Sequence, residues 1–116
     1  MKRGDIYWAN LAPRTGSEQA GRRPVIILSH DAFNQAAGWR SIIVIPVSTS
    51  SNQAKRAPTV VPLAAGTAGL ASDCSAICHQ ITTLDRAKLA DRIGQLPKEL
   101  LASIEKALLA AVDIRL

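Results

Sequence analysis

Apolar and polar positions alternate with a period of two over GDIYWANL (4–11), where Ile6 and Trp8 oppose Tyr7 and Ala9. That pattern predicts a β-strand. RPVIILS (23–29) and RSIIVIPVS (40–48) are instead continuous apolar runs and read as buried strands. Pro46 lacks an amide donor, which places it at an edge, a bulge or a strand terminus. A short strand bracketed by prolines is expected at PTVVPL (58–63). DCSAICHQI (73–81) reads as a strand with Ser75, Ile77, His79 and Ile81 on one face and Cys74, Ala76, Cys78 and Gln80 on the other. LADRIGQL (89–96) reads as one more strand. The period changes at KELLASIEKALLAAVDI (98–114), where Leu101, Ile104, Leu108 and Val112 form a stripe at spacings of three and four. Leu100 and Leu109 widen that stripe, Glu99, Lys106 and Asp113 fall outside it, and Pro97 suits the first turn of the helix.

Between these elements, residues 12–22 carry Pro, Gly and Ser and read as a loop long enough to be functional. HDAFNQAAG (30–38) suits a helical turn or two ended by Gly38. Residues 49–57 form a polar, basic loop, 64–72 a turn region, and TTLDRAK (82–88) a turn or short helix. Composition stays even along the chain, with no repeat or linker, so residues 1–116 read as one domain. Many short strands and one C-terminal amphipathic helix predict a mainly β (α+β) fold: a curved or barrel-like antiparallel sheet covered by a helix.

Aromatic residues make up only 3% of the chain, so the core rests on Ile, Leu, Val and Ala, and an aromatic-rich platform for stacking bases is not expected. Lys and Arg number 14 against 9 Asp and Glu, a formal net charge of +5 that favours polyanionic partners. No segment has signal-peptide character and no run approaches membrane-spanning length, so a cytoplasmic protein without a membrane partner is expected. Cys74 and Cys78, on one extended strand, would lie roughly 13 Å apart, too far for a disulfide or a shared metal ion. With His79 they give CxxxCH, which lacks zinc-knuckle spacing, and both read as small buried or half-buried thiols. GxGxxG, the GK[ST] phosphate loop, HExxH and GxSxG are all absent, which argues against nucleotide-dependent and zinc-protease chemistry.

KRGDIYWANL, GSEQAGRRPVIILS, IPVSTS and HQITTLD, in that order, resemble the MazF/PemK (Kid-like) toxins of bacterial toxin–antitoxin systems. The most specific part is G-S-E-Q-x-G-x-R-P followed by a strand ending in Pro-x-Ser/Thr. The resemblance implies a small SH3-like barrel of the type shared with the gyrase poison CcdB, in a homodimer. It implies cofactor-free and metal-independent, sequence-selective cleavage of single-stranded RNA to 2′,3′-cyclic phosphate and 5′-hydroxyl ends, and an acidic MazE-like antitoxin as partner. The alternative on the same fold is a non-catalytic, CcdB-like gyrase binder.

Cutting RNA without metal requires a cation aimed at the phosphoryl oxygens, an acceptor for the 2′-proton and a proton source for the 5′-oxygen. The family's active-site Arg maps to Arg23, directly before Pro24, where a guanidinium fork fits a phosphate and stabilises charge. Its hydroxyl maps to Ser48, usually Thr in the family, with Thr49 next door as the other possibility. Its Glu maps to Glu18, either as acceptor of the 2′-proton or as the neutralising partner of Arg22 or Arg23. Ser17, Arg22, Thr49, Lys55 and Arg56, with Arg14, are candidate contacts along the RNA strand, and Gln19 and Gln80 can read base edges. His79 replaces an acid usual in the family; it shapes base recognition beside Gln80 or takes part in proton transfer. His30 reads as a surface residue.

Overall fold

The computed structural model describes residues 1–11, 21–50, 52, 55 and 58–116. The elements run β1 (Asp5–Leu11), β2 (Gly21–Ile27), α1 (Asp31–Asn34), β3 (Ser41–Ser48), β4 (Val60–Leu63), β5 (Cys74–Ile77), β6 (Thr82–Asp85), β7 (Leu89–Gln95) and α2 (Lys98–Ala111). The seven strands pair in the order β4-β5-β3-β2-β1-β7, with β6 also on β3. All pairings are antiparallel.

Period two explains how uninterrupted apolar runs fold here. Val25 and Ile27 of β2, with Ile42 and Val44 of β3, face one cluster that also holds Ala9, Leu11 and Leu84. Ile26, Leu28, Ile45 and Val47 face the other, larger cluster, against Ile104 and Ala107 of α2. Both strands are therefore apolar on both sides because both sides are buried. Pro46 sits where its missing amide costs little. On one edge β3 pairs β6 through residues 41–44 and β5 through residues 47–48, so Pro46 falls in the gap between the two ladders.

The sheet is curled but not closed by a ladder. Its two ends, β4 and β7, meet through packing instead. The turn after β4 (Thr67–Gly69) lies against Ile93 and Gly94 of β7. A Cβ built on Gly94 would stand 2.0 Å from the Ala68 carbonyl oxygen, and one on Gly69, whose φ is +83°, would stand 2.7 Å from that of Ile93. Only glycine permits this approach.

Three expectations are corrected. The strand starting at Cys74 ends at Ile77, and Cys78–Gln80 form a 3-10 turn, so the two-face reading of 73–81 fails beyond Ile77. Residues 82–88 hold a strand, β6, before a 3-10 turn at Arg86–Lys88. TTLD shows no apolar alternation because only Leu84 is buried; the strand is held by its ladder to β3. Helix α2 ends at Ala111, earlier than its apolar stripe, and leaves Val112 exposed. Among the described residues, no helix is long and apolar enough to cross a membrane.

Candidate active site

Two cavities flank the end of β3. The first, of about 300 Å³, is lined by Arg22, Arg23 and Thr49 over an apolar floor that includes Trp8, Pro24 and Val47. The second, of about 620 Å³, is lined by Ser48, Thr49, Ser50, Asp73 and Ser75 among others. Thr49 and Cys74 belong to both.

The register explains the arrangement. β2 begins at Gly21, whose φ of +78° suits glycine, so Arg22, read above as a loop residue, joins Arg23 in the strand. Arg22 pairs Asn10 and Arg23 pairs Ala9 on β1, which fixes both backbones. On the other side Val25 pairs Pro46. The β2–β3 ladder ends at that pair, so Arg23 and Ser48 lie just beyond it, Arg23 on the first cavity and Ser48 on the second. Trp8 pairs Pro24, which puts Arg22 on the Trp8 face of β2.

Each hydroxyl has a distinct setting. Ser48 is buried, and its Oγ accepts the Ser50 amide at 3.0 Å, a turn-forming bond that fixes the side chain and leaves its own hydrogen to be donated. Thr49 is exposed at the strand exit. Arg23 is exposed at the mouth of the first cavity. Arg22 lies over the Trp8 ring, 4.4 Å from its centroid, and donates to Asp91 Oδ2 at 3.3 Å.

His79 and Gln80 line neither cavity. The turn at 78–80 carries them toward β4 and α2, and His79 Nδ1 lies 2.7 Å from Thr59 Oγ1. Lys55 is exposed and lines neither cavity. Ser17, Glu18, Gln19 and Arg56, with Arg14, lie outside the described residues. His30 caps α1, its Nδ1 accepting the Ala32 amide at 2.9 Å.

Both cysteines are free thiols. Burial pushes the Cys78 thiol up to about 11, and burial, with Asp73 beside it, raises that of Cys74. Among the described residues, no three His, Cys, Asp or Glu side chains cluster as a metal site. Trp8, Cys74 and Asp91 are the site features that sequence reasoning missed. Trp8 lay on a legible strand, but nothing local to it showed that residues 22, 47, 70 and 93 would converge on its face.

Residues 2–112 match the family model described as PemK-like, MazF-like toxin of type II toxin–antitoxin system. The chain is 34% identical over 116 residues to endoribonuclease EndoA of Bacillus subtilis, covering 97% of each protein. It is 38% identical over 117 residues to endoribonuclease MazF9 of Mycobacterium tuberculosis, covering 98% of each. The fold superposes on MazF from Deinococcus radiodurans with a TM-score of 0.77 at 28% identity, covering 97% of this chain and 96% of that one. It superposes on a chain of the MazE–MazF structure from the same organism with a TM-score of 0.74 at 28% identity, covering 99% and 97%.

Proposed function

Because the chain belongs to the PemK-like, MazF-like toxin family, we propose that it is the toxin of a type II toxin–antitoxin pair and cleaves single-stranded RNA by metal-independent transesterification. What supports this reading is Arg23 on the first cavity and the Ser48 hydroxyl on the adjoining one, with Thr49 lining both. A gyrase-binding surface has no need of an exposed guanidinium and an oriented alcohol on adjoining cavities.

In this reaction the RNA 2′-oxygen attacks its own phosphorus while the bond from phosphorus to the 5′-oxygen breaks. The 2′-proton goes to a base and the departing 5′-oxygen takes up a proton. A 2′,3′-cyclic phosphate and a 5′-hydroxyl result. Arg23 is the charge stabiliser: a guanidinium is not deprotonated in proteins, so it donates to the phosphoryl oxygens rather than accepting the 2′-proton. Its strand backbone holds it ready before the substrate arrives, the condition under which such donors contribute most. Ser48, oriented by the Ser50 amide, donates its hydroxyl hydrogen to the same phosphate. Thr49 contacts the RNA at the junction of the cavities. Glu18, by its match to the family motif, is assigned the 2′-proton.

The similarity to a chain of the MazE–MazF structure supports an antitoxin partner. The net charge of +5 favours an acidic antitoxin segment over the same basic mouth, and the toxin acts as a homodimer.

Purified protein incubated with single-stranded RNA in EDTA is expected to give fragments ending in cyclic phosphate. Sequencing their 5′ ends delivers the recognition site. Cleavage that requires a divalent metal would overturn the mechanism, and intact RNA together with blocked supercoiling would replace it with gyrase binding.

A further inference from the structure

The guanidinium of Arg22 covers the indole face of Trp8, 4.4 Å from the ring centroid, in the wall of the first cavity. Asp91 holds it there from β7, at 3.3 Å. Asp91 is placed by a β-bulge. Trp8 pairs Ala90 and Tyr7 pairs Arg92, so Asp91 is an extra residue with no partner on β1. Its φ is +58°, a left-handed conformation uncommon for a non-glycine residue. Bulges of this kind re-aim a side chain, and this one aims a carboxylate at the cavity rim.

The geometry points to a base-binding subsite under a latch. In the free protein Arg22 is a lid on Trp8, tethered by Asp91. When RNA binds, one unstacked nucleobase takes the indole face and packs on the floor made by Pro24, Val47, Leu70 and Ile93. Arg22 swings from Asp91 to the neighbouring phosphate, beside the link held by Arg23. Both contacts that hold the lid are soft. The ion pair is exposed, with side-chain exposures of 57% and 77%, so a phosphate competes with it readily. Trp8 is then a specificity-determining residue and Asp91 a positioning residue that sets how readily the subsite opens. This inference rests on the ribonuclease reading above.

The test uses the full chain carrying Trp39→Phe, which leaves Trp8 as the sole survivor of the two tryptophans. An RNA that the protein cleaves is remade with 2′-fluoro sugars, which lack the attacking hydroxyl, and is titrated while indole emission and the anisotropy of a labelled copy are followed. Trp8 emission is expected to be quenched saturably, with the same midpoint as the anisotropy. Asp91→Asn, a residue that tolerates the left-handed backbone, is expected to tighten binding by about two- to fivefold, the range of an exposed ion pair. Binding by anisotropy with unchanged Trp8 emission overturns the subsite. Binding unaltered by Asp91→Asn overturns the latch. Failure of the unmodified RNA to be cleaved at all removes the ribonuclease reading, and this inference with it.

Discussion

Two groups of arginines share this molecule and are put to different uses. At the α1 end, Arg3, Arg40 and Arg86 are tied into the fold. Arg3 donates from its side chain to Glu105 and to the Leu28 carbonyl, and from its backbone to Asp31. Arg40 pairs with Asp85 at 3.0 Å. Arg86 donates to the carbonyls of Phe33, Ala36 and Trp39, fastening the segment that follows α1 to β6. At the β2 start, Arg22 and Arg23 stand exposed at a cavity, where Arg22, among the described residues, engages an aromatic face and an exposed carboxylate. A net charge of +5 sums the two groups and does not distinguish them. What separates them is place: the first group fastens the α1 end, and the second lines a cavity.

The sharpest way to break this contrast is to remove one arginine from each group. Arg23→Ala is expected to lower RNA cleavage by about 10²- to 10³-fold, the loss seen when one preorganised donor to a developing anion is removed, with the thermal midpoint unchanged. Near wild-type cleavage would put Arg23 among the merely exposed. Arg86→Ala is expected to do the reverse. Loss of three bonds to carbonyls lowers the unfolding free energy by about 1–2 kcal/mol in denaturant titration, while cleavage per folded molecule stays the same.

A finer test concerns the alcohols. Ser48→Ala is expected to lower cleavage on the order of tenfold, the scale of one oriented hydrogen bond, and Thr49→Val less. The opposite ranking would move the donor one residue along the chain.

The smallest effect is a pH response confined to the α1 end. The Arg3 amide, then the Asn34 side chain, hold the Asp31 carboxyl below its ordinary value. A lowered folded pKa means that the carboxylate stabilises the fold above the ordinary value of about 4 and loses that contribution as pH falls through the folded one. Urea midpoints at pH 6 and pH 3 are expected to differ more for the wild type than for Asp31→Asn. Equal differences would show that the ties at this end do not depend on charge.

The contrast also marks what the chain discloses before folding. Continuous apolar runs revealed β2 and β3, and the stripe at threes and fours revealed α2, because burial there follows the local period. The break at Ile77 was hidden. No Gly or Pro marks it, and the chain bends because Cys78 is buried and takes the Thr59 carbonyl through its amide. Strand β6 was hidden because its pairing to β3, not its own apolar content, makes it a strand.

At the candidate site, Arg23 and Ser48 were named from a motif and a strand end, and each lines one of the two cavities. Trp8 and Asp91 were not. A 3% aromatic content says how scarce stacking surfaces are, and only the register of β1, β2 and β7 says that one of them lies in a cavity. The bulge that aims Asp91 leaves no mark in the spacing of apolar residues.

The contact of Gly94 with the Ala68 carbonyl acts as a gauge block. The circumference of this curled wall is set where a hydrogen atom stands in place of a carbon, and the same turn and strand supply part of the rim of the first cavity. Any side chain at that position would force turn and strand apart, so the bore of the first cavity and the tightness of the fold are inherited through one position.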